Sequence, residues 1–135
     1  LGADGVINHK GEDFSTEVLE LTGARGVDLV FEPVGAFTWA KSVRCLAKGG
    51  RLVTCGSTTG PVVELDLRYF FTKEFSIFGC YMGSRIELDK VLALIEEGKL
   101  KPVVDTVFPL EEAAKAQEKM ESRNFFGKMV LKVKE

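Results

Sequence analysis

The sequence predicts an α/β fold built on a parallel, doubly wound sheet. Three observations carry this reading. First, Gly49-Gly50-Arg51-Leu52-Val53-Thr54-Cys55-Gly56-Ser57 places a Gly pair before a short β-branched run and a small-residue turn after it. That is the pattern of one buried parallel strand released from a helix. Second, similar strand-then-turn units flank it, from Gly26 to Gly35 and from Phe75 to Gly83. Third, segments with helical apolar spacing alternate with these runs, giving the order β-α-β-α-β-α-β-α. In open α/β sheets, ligands lie outside the carboxyl ends of the strands. The loops after Phe31, Thr54 and Tyr81 are therefore the place to look for a site.

Each element has its own local reason. Gly5-Val6-Ile7-Asn8 is a short strand, and His9 to Asp13 is a polar loop. Asp13 can accept backbone N–H bonds at the start of a helix. Phe14, Val18 and Leu21 then form one apolar helical face, which Gly23 ends. Val27-Asp28-Leu29-Val30-Phe31-Glu32 is a strand buried on both faces, because it runs continuously apolar after Asp28. Pro33 stops it by removing a ladder donor, and Gly35 permits a close backbone approach. The next helix carries a stripe of Ala36, Ala40, Val43 and Ala47, with Trp39 and Leu46 beside it.

Ser57 to Pro61 is loop by composition, and Leu65 to Lys73 is a short helix. Phe75 to Met82 is a strand in which Gly79 marks a bulge or a close neighbour. Ser84 and Glu87 make a capping box ahead of a helix whose core side is Leu88, Val91, Leu92 and Ile95, with Gly98 at its end. Val103 to Phe108 is a strand, and Pro109-Leu110-Glu111-Glu112 starts a helix with acids in its first turn. Ala113, Gln117 and Met120 continue that helix. Lys128 to Lys134 alternates polar and apolar, so it is a half-exposed strand, antiparallel or at an edge.

The bulk numbers set limits. At 135 residues, one modest core is the expectation. The net charge of −2, with no Lys/Arg cluster on any definable face, argues against a nucleic-acid partner. No apolar run approaches the roughly 20 residues of a membrane span. Cys45, Cys55 and Cys80 are far apart and odd in number, which fits a reducing cytoplasm better than a disulfide framework. His9 stands alone, away from any cysteine, so a metal cluster is not expected. The chain opens on Leu1 in mid-pattern and reads as a piece of something longer.

No acid/base pair, nucleophile motif or glycine fingerprint for pyrophosphate stands out. Asp28, Glu32 and Asp66 are separated carboxylates and read as structural. The residues alone reach a ligand crevice at the three loop tips and stop there.

A resemblance extends the reading. Leu1-Gly2-Ala3-Asp4-Gly5-Val6-Ile7-Asn8, Gly26-Val27-Asp28-Leu29-Val30-Phe31-Glu32-Pro33-Val34-Gly35 and Gly49-Gly50-Arg51-Leu52-Val53 carry its first half. Gly98-Lys99-Leu100-Lys101-Pro102, Phe108-Pro109-Leu110-Glu111-Glu112-Ala113 and Gly127-Lys128-Met129-Val130-Leu131 carry the rest. Their order and spacing resemble the carboxyl-terminal part of the medium-chain, zinc-type alcohol dehydrogenase and quinone reductase superfamily. The chain looks closer to the zinc-type alcohol dehydrogenases than to the zinc-free quinone reductases.

The resemblance implies a partial Rossmann-like sheet over residues 1–98, lacking its first two strands. A strand–helix–strand over 99–135 would return toward an absent catalytic domain. It implies NAD or NADP as cofactor, with zinc in the intact protein but not bound by this chain. It places Pro33, Val34 and Gly35 beside the adenosine and nicotinamide ribose, and Cys55, Gly56 and Ser57 along the nicotinamide ribose. Cys80, Tyr81 and Met82 would offer backbone groups to the carboxamide, and Lys128 would reach the pyrophosphate. Plain turn geometry is the competing account of Gly35 and Gly56, and a solvated strand lysine that of Lys128.

A homodimer through Phe75–Met82 is implied as well. In the strand order 3-2-1-4-5-6, the absent strands would separate the strand at Val6 from that at Val30. Hydride transfer between the nicotinamide and a small alcohol or carbonyl compound is the activity implied for the intact protein, the chain alone being inactive. A zinc-free quinone or enoyl reductase, and a non-catalytic nucleotide-binding or dimerisation module, are the alternatives.

Overall fold

The computed structural model of the chain describes residues 2–9 and 13–134. The polar loop expected at 9–13 therefore falls partly outside the described residues. The chain forms two compact units, one reaching to Met82 and the other beginning at Gly83.

The first unit holds α1 (Phe14–Leu21), β1 (Val27–Glu32), α2 (Ala36–Arg44), β2 (Leu46–Thr54), α3 (Leu67–Lys73) and β3 (Ser76–Gly79). Its strands form one sheet in the order β1-β2-β3, parallel throughout. This is the α/β parallel arrangement that alternating strands and helices dictate. Trp39, Val43, Leu46, Leu52 and Phe75 are its buried core, with Val30, Val63, Phe70 and Ile77 packed against them.

Asp13 caps α1 as expected, accepting from the Ser15 N–H at 3.1 Å. Leu21, however, is exposed, and the buried residue of α1 is Ser15. The helix closes at Leu21, where the Thr22 hydroxyl donates back to the Val18 carbonyl at 2.7 Å, so the expected apolar face stops short. Residues 5–8 form no strand, and Val6 is 91% exposed. Among the described residues the sheet ends at β1, and none of their strands lies alongside this segment to complete a ladder.

β1 forms where expected but is not buried on both faces: Leu29 and Phe31 are more than half exposed. Strand residues alternate between faces, and only the face of Val30 and Glu32 is covered here. The buried face of α2 also differs from expectation. Thr38, Trp39, Ser42 and Val43 are buried, while Ala36 and Ala40 are exposed. Ala47 is not helical at all, because β2 already begins at Leu46. The Gly49-Gly50 pair sits inside β2, where the register jumps from Val27↔Leu46 to Leu29↔Arg51. It serves a bulge and does not terminate a helix.

α3 is capped by Asp66, which accepts from the Arg68 N–H at 2.9 Å. β3 is shorter than expected and ends at Gly79. Gly79 marks neither a bulge nor a close neighbour: it pairs with Thr54 in unbroken register, and a Cβ there would meet nothing within 4 Å.

The second unit holds α4 (Arg85–Glu96), β4 (Val104–Pro109), a 3-10 turn (Leu110–Glu112), α5 (Ala113–Glu121) and β5 (Lys128–Lys132). The capping box forms: Glu87 N–H donates to Ser84 Oγ at 3.3 Å, and Ser84 N–H to Glu87 Oε2 at 2.6 Å. The expected core side of α4 is not buried. Leu88, Val91 and Leu92 are exposed, and α4 has no buried residue.

β5 pairs with β4 in parallel, not antiparallel, through the α5 connection. As one of two strands it does lie at an edge. Ala116 is the buried residue of α5, while Met120 is 53% exposed. Asp105 ties the pieces together. Lys119 Nζ donates to its carboxylate, and the Phe126 N–H donates to it at 3.0 Å.

Candidate functional site

The carboxyl ends of β1, β2 and β3 lie side by side, because the three strands are parallel and in register. Pro33, Val34 and Gly35 follow β1, Cys55, Gly56 and Ser57 follow β2, and Cys80, Tyr81 and Met82 follow β3. The structure thus gathers all of the nominated residues but Lys128 along one sheet edge. Lys128 is exposed on β5, in the unit that begins at Gly83.

The first two loops are stitched together. Thr59 donates to the Val34 carbonyl from its N–H at 2.8 Å and from its hydroxyl at 2.9 Å. Thr59 Oγ1 in turn accepts from the Phe37 N–H at 3.0 Å. Gly35 has φ 95°, and a Cβ there would sit 2.7 Å from the Gly60 oxygen and 3.0 Å from the Ser57 Cα. A Cβ on Gly56 would sit 2.7 Å from the Pro33 oxygen. Both glycines are thus required by the packing of one loop on the other. The result is close main-chain packing of the two loop tips, bridged by the Thr59 hydroxyl.

Glu32 holds this packing from beneath. It is 2% exposed, and its Oε1 accepts from Val34 N–H at 2.7 Å, Gly35 N–H at 3.0 Å and Thr38 Oγ1 at 2.9 Å. The Ser42 hydroxyl donates to Oε2. Burial pushes the carboxyl pKa up, but the Ser42, Gly35, Val34 and Thr38 donors outweigh it and hold the group below its ordinary value. The structural reading of Glu32 holds. Its donors Thr38 and Ser42 lie six and ten residues on, on the helix that returns over the strand end.

The third tip is more open. The Cys80 N–H extends the ladder to the Thr54 carbonyl at 2.9 Å, and Tyr81 and Met82 are 92% and 83% exposed. Met82 has φ 52°, a left-handed conformation uncommon for a side chain of its size.

Two hollows flank the sheet in the first unit. One, of about 240 Å³, is lined by Phe31, Glu32, Pro33, Val34, Thr38 and Ser42 together with Ile7, His9 and Phe14. It adjoins the first loop tip. The larger, of about 510 Å³, runs between α2 and the 64–66 segment and touches none of the nominated residues. The strand-end location and the loop-to-loop packing favour the smaller one as part of the site. Among the described residues, no three His, Cys, Asp or Glu side chains gather into a set that could hold a metal, so these residues do not fit a zinc site.

The profile of the zinc-binding dehydrogenase family matches residues 1–131. A quinone oxidoreductase of Sus scrofa is 33% identical over 137 residues, covering 96% of this chain and 41% of that protein. An NAD-dependent alcohol dehydrogenase of Sulfolobus acidocaldarius is 36% identical over 134 residues, covering 98% of this chain and 38% of that protein. The crystal structure of an NAD-dependent alcohol dehydrogenase superposes with a TM-score of 0.85 at 39% identity, over 98% of this chain and 39% of that one.

The fold is that of the NAD-binding domain of dehydrogenases and reductases. The chain belongs to the zinc-binding dehydrogenase family. It spans less than half the length of the relatives it matches.

Proposed function

We propose that this chain is the distal part of the cofactor-binding scaffold of an NAD(P)-dependent oxidoreductase acting on an alcohol or carbonyl compound. The observation that carries this is the alignment of three parallel strand ends, with the first two loops packed main chain against main chain. The nicotinamide, when bound, accepts or donates the hydride. The chain's own residues position it. Val34, Gly35, Cys55, Gly56 and Ser57 offer main chain to the dinucleotide, and Cys80 to Met82 offer backbone groups to the carboxamide end. Glu32 keeps the first loop in place. Zinc belongs to residues other than these. The chain by itself binds without turnover, and hydride transfer by the purified chain would contradict that.

The identity to alcohol dehydrogenases supports an alcohol or carbonyl substrate. The similar identity to a quinone oxidoreductase supports a second reading, a zinc-free reductase using the same cofactor surface. β3 is an edge strand, and Phe78 is 51% exposed on it, which supports a homodimer formed by pairing β3 across two copies. The unpaired cysteines support a reducing, cytoplasmic setting.

Calorimetric titration of the full chain with NADH and NADPH tests the reading. Saturable binding of either is expected, weakened about tenfold or more, a loss of about 1.4 kcal/mol, in Gly56→Val, whose side chain would collide with the Pro33 carbonyl. Absence of binding, or unchanged affinity in that variant, would overturn it.

A further inference from the structure

We propose that Cys55 and Cys80 form a reversible dithiol–disulfide site, since each stands one step beyond Thr54 and Gly79, the last paired residues of two adjacent parallel strands. Thr54 pairs with Gly79, and the Cys80 N–H donates to the Thr54 carbonyl at 2.9 Å. That bond belongs to the Thr54–Gly79 pair, and continuing the register by one residue beyond it sets Cys55 opposite Cys80. Neighbouring strands lie about 4.8 Å apart, and opposed residues send their Cβ atoms to the same face. That spacing is within the Cα–Cα range of about 4.4–6.8 Å that a disulfide spans.

Access separates this pair from the third cysteine. Cys55 and Cys80 are free and exposed, whereas Cys45 is free but buried at 3% exposure. Burial, reinforced by the Asp13 carboxylate and opposed by Arg44, pushes the Cys45 thiol pKa up and makes it a poor nucleophile.

The oxidant is a small-molecule disulfide of the glutathione class. The thiolate of one cysteine attacks a glutathione sulfur, forms a mixed disulfide and expels one glutathione thiolate. The second cysteine's thiolate then attacks the protein sulfur of the mixed disulfide and expels the other glutathione. Two electrons pass from the protein thiols to the glutathione disulfide. The two thiol protons end on two glutathione thiols. Reduced glutathione in excess reverses both steps.

The bond would fasten the tip after β2 to the tip after β3. Its formation stands on the register alone. Its consequence, loss of cofactor affinity, rests on the proposed function.

The test oxidises the full folded chain with glutathione disulfide, alkylates the remaining thiols, and maps the digested peptides by mass spectrometry. The expected result is loss of two thiols per chain, a peptide containing Cys55 linked to one containing Cys80, alkylated Cys45, and full reversal by dithiothreitol. Cys55→Ser and Cys80→Ser should each stop at a single glutathione adduct on the remaining exposed cysteine. Separate glutathione adducts on Cys55 and Cys80 in the unaltered chain would overturn the proposal, as would a bond to Cys45 or one found only between chains. Titrating the mapped, oxidised chain with NADH and NADPH separates the two claims. Weakened binding supports the switch, while unchanged binding by a chain with the bond in place counts against the cofactor site and leaves the bond standing.

Discussion

The unit that reaches to Met82 and the unit that begins at Gly83 use the same grammar, parallel strands joined by helices, with different means of support. The first has an apolar centre, in which Leu52 is fully buried among Trp39, Val43, Leu46 and Phe75. In the second, α4 buries no residue and α5 buries Ala116. Its β4, α5 and the turn before β5 are joined through the polar group of Asp105, Lys119, Thr106 and Phe126. The difference teaches where stability resides. Apolar burial organises the part that carries the loop tips, while hydrogen bonds and caps organise the other.

That contrast can be broken or sharpened by substitution. The largest effect is expected from Leu52→Ala, which should cost about 3 kcal/mol in denaturant unfolding, because it empties a fully buried site in the first unit. A loss near zero would mean the apolar centre is not what holds that unit.

Glu32→Gln comes next. It turns a carboxylate with four donors into an amide that can accept fewer of them, at about 2 kcal/mol. The pH dependence has a defined sign. The folded-state pKa of Glu32 is lowered, so its stabilisation is fully present above the ordinary glutamate range and is lost as pH falls through the folded value. The variant should therefore flatten the acid limb of the stability curve, and an unchanged limb would count against the network.

Ala116→Gly should cost the second unit about 1 kcal/mol, mostly through backbone freedom in the middle of α5. Asp105→Asn should act most locally. The Lys119 and Phe126 donors and the Thr106 hydroxyl hold the Asp105 carboxyl well below its usual range. Losing its charge should speed amide exchange at Phe126 while leaving the amides of Val34 and Gly35 unchanged. Equal acceleration in both units would show that they are not supported separately.

Much of the architecture was legible in the sequence because it depends on local signals. The caps at Asp13 and Ser84 need only a side-chain acceptor and a nearby N–H, and both form, whereas Asp66, which the sequence placed inside a helix from Leu65, caps one that starts at Leu67. The parallel sheet followed from alternation of strands and helices. What was not legible depends on a distant partner. The buried hydroxyls of Thr38 and Ser42 answer to Glu32 on another element, so a stripe of alanines looked more apolar and misled. The alternation in β5 signalled half-exposure but carries no information on strand direction, and the pairing proved parallel. Cys55 and Cys80 are far apart along the chain, and only the register of β2 with β3 makes them neighbours. Of the site, the three loop tips were readable from their small residues, whereas the packing of Gly56 on Pro33 was not.

The most direct measurement is an amide chemical-shift map of the isotopically labelled chain as NADH or NADPH is added. The account predicts that the shifted resonances cluster at Val34, Gly35, Cys55, Gly56, Ser57, Cys80, Tyr81 and Met82. Shifts confined to the groove of Trp39, Glu64 and Tyr69, or none at saturating cofactor, would contradict it.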